Sequence, residues 1–242
     1  MQALAIDDQL AEAYTSLGLI KTIYDWDWSG AEQAHQHALR LNPNSALAHR
    51  IYGHLLRTTG RLDDALVEFN HALSLEPLSL VANRDVGVTL YVARQYDRAI
   101  DQFHKTMELD PSFPTVYGFL ERAYEASGNY EQAIAADLKA VTMQQHGPAT
   151  VDALRQAYTL SGWKGYWHKR LELEKERENA APSQMVLIYA PLGEKDAAFE
   201  WLEKSYQERD FWLNFIKTDP LLDSLRSDTR FIDMLQRVGL AQ

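Results

Sequence analysis

Three residue series recur at a single spacing in this 242-residue chain. Ala31, Ala65, Ala99 and Ala133 stand 34 residues apart, Ala38, Ala72, Thr106 and Ala140 keep the same step, and so do Pro43, Pro77 and Pro111. A fixed period of that length means one supersecondary unit repeated, each copy unable to bury its apolar face until the next copy covers it. A stacked array is therefore expected, and the pattern inside each period says what is stacked.

Residues 46–79 show the unit best. Leu47, Ile51, Leu55 and Leu56 recur at helical spacing, Gly60-Arg61 makes a turn, and Ala65, Phe69, Ala72 and Leu73 form the apolar stripe of a second helix. Gly53 marks a place where a neighbouring element can approach the first helix closely. Acidic or amide residues open the second helices at Asp63-Asp64, Asp97 and Glu131-Gln132, where the helix dipole favours them. Asn42-Pro43, Glu76-Pro77 and Asp110-Pro111 close them, because proline has no amide to donate and turns the preceding residue away from helical geometry. Two antiparallel helices per period follow, and the fold class is all-α.

These residues resemble the tetratricopeptide repeat family, whose marks are a large residue, Leu and Gly in the first helix and Ala, an aromatic, Ala and Pro in the second. The chain has Tyr14, Leu17 and Gly18 with Ala31, Ala38 and Pro43; Tyr52 and Gly53 with Ala65, Phe69, Ala72 and Pro77; Val86 and Gly87 with Ala99, Phe103 and Pro111. A fourth period keeps Tyr117, Leu120, Tyr124, Ala133 and Ala140, but Glu121 replaces the glycine and Gln145 the proline. The resemblance covers residues 11–147 as four repeats, 11–45, 46–79, 80–113 and 114–147, and implies a right-handed superhelical solenoid.

Beyond residue 147 the pattern decays. Residues 148–210 read as two degenerate helix pairs with turns at Ser161-Gly162 and Gly193, and Trp167 falls where the small alanine belongs. Residues 211–242, with Asp219-Pro220 and the stripe Phe231, Leu235 and Val238, read as capping helices over the open end of the stack. Residues 1–10 read as the tail of a truncated preceding repeat, since Ala3-Leu4-Ala5-Ile6-Asp7-Asp8 parallels Ala38 to Pro43, so the array is expected to continue upstream. The strings Tyr24-Asp25-Trp26-Asp27-Trp28 and Leu225 to Phe231 resemble tetratricopeptide segments that follow kinase, cyclase or winged-helix modules, which implies a bacterial multidomain regulator as parent.

Composition removes several function classes. With 24 basic and 34 acidic residues the formal charge is −10, which opposes non-specific nucleic-acid binding, a process that needs a dominant basic surface. Cysteine is absent, so there is no disulfide, thiolate metal site or cysteine nucleophile. Met185 to Leu192, the longest apolar run, is too short to cross a bilayer, and no leader pattern opens the sequence, so the expected location is the cytoplasm. No phosphate-cradling glycine loop, paired metal-binding histidines or glycine-flanked serine occurs. His35 and His37, and His49 and His54, diverge around their helices and cannot chelate. No metal and no cofactor are expected. Asp25 to Trp28 reads as an inter-helix turn with both tryptophans packed beneath it, against the alternative of a sugar- or cation-binding loop.

A face is what remains. The first helices of the pairs line a concave wall, with Leu47, Arg50, His54 and Arg57, then Val81, Arg84, Val88 and Tyr91, then Thr115, Gly118, Arg122 and Glu125 along it. Four arginines against one glutamate reverse the sign of the chain as a whole, so the expected partner is an acidic protein or peptide segment. Arg50, Arg84 and Arg122 are the anchors for acidic groups, His54 and Arg57 tune the charge, and Val88 and Tyr91 supply apolar contact. Relatives that grip peptide carboxylates use Lys and Asn; Arg50 with His54 and Arg84 with Val88 depart from that set. The alternative for the arginines is pairing with acids of the chain itself. The function expected is a non-enzymatic protein-interaction module. Two others stay open: a self-associating scaffold that forms a homo-oligomer through an exposed end, and an enzyme with a site in residues 148–182, where Trp163, Tyr166, Trp167 and His168 cluster.

Overall fold

The computed structural model describes residues 7–143, 147–177 and 179–241. Among these the regular structure is helical, with twelve α-helices packed largely as adjacent antiparallel pairs. The pairs are α1 (Ala11–Ile20) with α2 (Trp28–Leu41), α3 (Ala46–Thr59) with α4 (Leu62–Leu75), α5 (Leu80–Val92) with α6 (Tyr96–Leu109), and α7 (Pro114–Ala126) with α8 (Tyr130–Met143). Then come α9 (Pro148–Lys175), α10 (Pro182–Leu192) paired with α11 (Lys195–Gln207), 3-10 turns at Phe211–Phe215 and Pro220–Leu222, and α12 (Thr229–Arg237). Of residues 1–10, read as the tail of an earlier repeat, Met1 to Ile6 lie outside the described part, as does Gln145.

Each of the first three pairs closes around one contact. A Cβ added at Gly18 would sit 2.4 Å from His35 Cε1, at Gly53 2.9 Å from Phe69 Cε1, and at Gly87 2.4 Å from Phe103 Cε1. The glycine removes the side chain that would hold the second helix away, and the ring fills the space gained. His35, Phe69 and Phe103 are buried, while Ala31, Ala65 and Ala99 on the same helices are fully enclosed. Neighbouring pairs are tied by a second periodic device. His49 Nε2 lies 2.9 Å from the Pro43 carbonyl oxygen, Asn83 Nδ2 donates to that of Pro77 at 3.2 Å, and Tyr117 Oη to that of Pro111 at 2.8 Å. Three different side chains thus satisfy the same orphan carbonyl after a helix end.

The later helices deviate where their sequence does. The turn read at Ser161-Gly162 is a one-residue break, Gly162 at φ 64° inside α9. Helix α10 is apolar all round, with Met185, Val186, Leu187, Ile188, Tyr189 and Ala190 all buried, as expected of a helix covered on every side. It packs with α9, α11 and the turn Pro220–Leu222 in the C-terminal core. Among the described residues no helix is long and apolar enough to cross a membrane.

Two readings of the sequence need correction. The tryptophans of Asp25 to Trp28 do not pack beneath their own turn. There α1 widens into a π turn over Lys21–Asp25, Trp26 takes φ 53°, and Asp27 caps α2 by accepting the Gly30 amide at 2.9 Å. Both rings then reach the far end of the chain. Trp26 lies against Tyr206 with centroids 5.4 Å apart and beneath the Arg209 guanidinium, and Trp28 Nε1 donates to the Val238 carbonyl at 2.9 Å.

The second correction concerns residues 211–242. Phe231, Met234 and Val238 of α12 and its exit do pack in the C-terminal core, but the residues before them leave the end of the stack and cross the concave wall. Phe215 packs with the repeat core, Ile216, Leu222 and Leu225 are fully buried, and Arg226 fixes the crossing by donating to the carbonyls of Lys217 (2.7 Å) and Asp219 (3.0 Å). Burial of that apolar set is the physical reason the segment lies inside. The concave wall is not open along its length.

The repeated glycine contact yields a paired test. Gly87→Ala should lower stability by about 1–3 kcal/mol, the usual cost of overpacking a filled core. Gly118→Ala, where an added Cβ meets nothing within 4 Å, should be neutral or stabilising by up to about 1 kcal/mol. Urea denaturation of both variants checks this, and equal effects would remove the special role of the contact.

Candidate functional site

The first helices bring Arg50, His54 and Arg57 of α3 beside Arg84, Asp85 and Val88 of α5. Asp85 organises them. It is 1% exposed, and its Oδ1 accepts from Arg84 Nη2 at 2.7 Å and Nε at 3.2 Å. Its Oδ2 accepts from His54 Nε2 at 3.0 Å and Arg50 Nη1 at 3.4 Å. Arg57 Nη2 donates to His54 Nδ1 at 2.7 Å, so His54 carries its single proton on Nε2, pointed at Asp85. Burial pushes the His54 pKa down against the pull of Asp85, in keeping with the neutral ring. Burial alone would raise Asp85; His54, Arg84 and Arg57 outweigh it and hold the carboxyl far below the usual range.

Arg57 is almost fully buried, with its guanidinium 5.4 Å from the Phe69 ring centre and 5.0 Å from that of Phe215. Burial lowers its pKa to about 10, still charged at neutral pH. Its role is to pin the crossing segment to the wall rather than to tune an open surface. Tyr91 and Arg122, expected on the same open surface, are also taken by the chain itself: Tyr91 is fully buried and donates to Asp219 Oδ1 at 3.3 Å, and Arg122 Nη1 lies 3.6 Å from Asp219 Oδ2. Tyr91 therefore cannot pack on an incoming ligand. Arg50 and Arg84 remain at the edge of a chamber of about 400 Å³, with Val88 in its wall and Phe211 and Phe215 over it.

Sequence reasoning missed both aspartates. Asp85 interrupts a helix in which Val86, Val88, Leu90 and Val92 are all buried, and an acid inside such a run is the available signal. Asp219 reads only as part of the Asp219-Pro220 step before the capping residues. It caps the 3-10 turn, its carboxylate accepting the Leu221 amide at 3.0 Å, while the side chains that carboxylate meets, Tyr91 and Arg122, lie 97 or more residues away.

Comparison with known families matches the tetratricopeptide repeat over residues 27–75 and 87–148. Those stretches are tetratricopeptide repeats. Solved structures agree on the fold. PilW, a type IV pilus biogenesis factor, is 20% identical, covers 72% of this chain and 81% of its own, and superposes with a TM-score of 0.62. PilF of Pseudomonas aeruginosa is 18% identical, covers 87% and 96%, and gives 0.58. YrrB, described as having an unusual peptide-binding site, is 24% identical, covers 59% and 73%, and gives 0.50. No curated protein matches the sequence.

The tetratricopeptide pattern also explains a second polar cluster. In the fourth repeat Glu121 occupies the glycine place and Asp137 the aromatic place, so the contact that closes the other pairs is replaced by acids. Asp137 receives Tyr166 Oη and Arg170 Nη1, the latter at 2.5 Å, and Glu125 Oε1 receives Trp163 Nε1 (2.7 Å) and Trp167 Nε1 (3.1 Å). Trp163, Tyr166 and Trp167 thus come together, whereas His168 is exposed. Among the described residues Glu121 Oε1 and Glu125 Oε2 lack a hydrogen-bond partner. Burial first, then Glu125 and Asp137, drive the Glu121 pKa well up.

Each cluster makes a prediction. Asp85→Asn keeps the shape but removes the charge that Arg50 and Arg84 share, and should cost about 3 kcal/mol or more in urea unfolding; a loss below a few tenths would show that Asp85 organises nothing. Glu121 behaves oppositely. Its folded pKa is raised, so above the ordinary carboxylate range the unfolded chain releases a proton that the folded chain keeps, and stability falls as pH rises. Glu121→Gln should therefore raise the melting temperature at pH 7 and change it little at pH 4. An unchanged or lower value at pH 7 contradicts the assignment.

Proposed function

We propose that this tetratricopeptide array is a protein-interaction module that takes an acidic and apolar segment of a partner protein at the uncovered part of its concave wall, as one component of a larger regulatory protein. One observation carries the reading. The chain's own crossing segment already fills the distal part of the wall with such chemistry, Asp219 on Arg122 and Tyr91 followed by the buried Leu222. Arg50 and Arg84 repeat the same cationic character in a cavity that they line together with Phe211 and Phe215 of the crossing segment. Arginine's planar fork suits a carboxylate, and Val88 and Phe119 give apolar contact beside it.

The expected contribution of the two arginines is a specificity for negative charge. Peptide libraries selected on the wild-type chain should enrich acidic-apolar segments. The Arg50→Gln/Arg84→Gln variant, with its fold checked by circular dichroism, should lose that enrichment and bind the selected peptides at least about tenfold more weakly, the usual worth of a charge-assisted hydrogen bond. Equal binding of the same acidic peptides by a folded variant would refute the assignment of this surface.

A further inference from the structure

The crossing segment does more than narrow the groove; it turns part of it into a chamber. Asp219 on Tyr91 and Arg122 fastens the segment to the first helices, and Phe211 and Phe215 of the same segment line the cavity opposite Leu19, Ile23 and Val88. An extended peptide needs a continuous trough, since each residue spans about 3.3 Å or more. The chamber's volume of about 400 Å³ falls within the range of about 300–1,000 Å³ typical of small-molecule pockets.

The lining has two characters. Leu19 and Ile23 of the first helix and its π turn, Val88, Phe119 and the two phenylalanines of the crossing segment are apolar. Against them stand Arg50, Arg57 and Arg84 with the single acid Asp85, while His54 is neutral. Asp85 balances one of three positive charges, so the chamber keeps a cationic surplus in a chain of net charge −10. Arg50 is the group with capacity left. Among the described residues only its Nη1 is bonded, which leaves Nε and Nη2, the edge that grips a carboxylate side-on with two parallel hydrogen bonds.

We propose that this chamber binds a small free carboxylic acid with an apolar body of about a dozen heavy atoms, its carboxylate on Arg50 and its apolar part between Leu19, Ile23 and Phe119. The ligand here is a small molecule that shares Arg50 and Phe119 with the surface proposed for the partner segment, and Phe211, 56% exposed, stands among the lining residues. A saturated ten-carbon acid matches both the volume and the single unused guanidinium edge.

Isothermal titration of the full chain with decanoate, decanol and decylamine tests the proposal. Decanoate should bind at one site and raise the melting temperature, and decylamine should not bind. Arg50→Gln should weaken decanoate at least about tenfold while leaving the chain folded, consistent with the loss of a charge-assisted pair. Leu19→Trp, at a partly exposed position of the lining, should abolish binding by filling the space. No heat and no thermal shift with decanoate at about 1 mM, the weak end of specific association, would overturn the proposal. So would equal affinity for decanol, or decanoate binding that both variants retain. Competition separates this from partner binding: peptides that still bind with decanoate present leave the chamber assignment intact and place the peptide elsewhere. A wild-type chain that binds decanoate but enriches no acidic-apolar peptide refutes only the partner reading.

Discussion

A ring seated on a glycine holds each of the first three helix pairs together. His35 on Gly18, Phe69 on Gly53 and Phe103 on Gly87 let two helices approach closely enough for the enclosed alanines beside them to meet their neighbours. Close approach fixes the angle within a pair, and repeating that angle every 34 residues curves the array. The first copy is the weakest chemically. Among the described residues both His35 ring nitrogens lack partners, and burial pushes its pKa down to about 4, so the ring serves there as a neutral aromatic.

The fourth repeat keeps the helices and abandons the contact. With Glu121 and Asp137 in the two places, apolar closure is impossible, and α9 supplies Tyr166, Trp163, Trp167 and Arg170 to satisfy most of the acids. Trp167 sits where the small alanine would be because its indole N–H is needed on Glu125. The decay of the pattern after residue 147 is thus a change of closure chemistry from rings on glycines to a hydrogen-bonded polar core. Among the described residues such a core leaves Glu121 Oε1 and Glu125 Oε2 without hydrogen-bond partners, and burial raises the pKa of both acids.

Curvature brings the two ends of the chain within reach of each other. Trp26 and Trp28 meet Tyr206 and Val238, Arg209 caps the Tyr24 carbonyl, and the residues between α11 and α12 cross the hollow. Arg94 to Asp223 and Arg122 to Asp219 fasten that crossing from opposite sides. What sequence periodicity describes as a wall facing solvent is therefore in part a wall facing its own chain.

Local spacing determined the helix pairs, their turns and the closing prolines, because those depend on contacts within about 34 residues and on backbone rules that each residue obeys by itself. It also placed Arg50, His54, Arg84 and Val88 on one face, since helical register is local. It could not show that Tyr91, Arg57 and Arg122 are already engaged, or that Asp85 and Asp219 are the acids engaging the groove. Asp219 meets Tyr91 across 128 positions, and Arg209 meets Tyr24 across 185. Contacts of that separation follow from the summed curvature of the whole stack, which no single repeat encodes, so only the tertiary structure decided which part of the wall stays open.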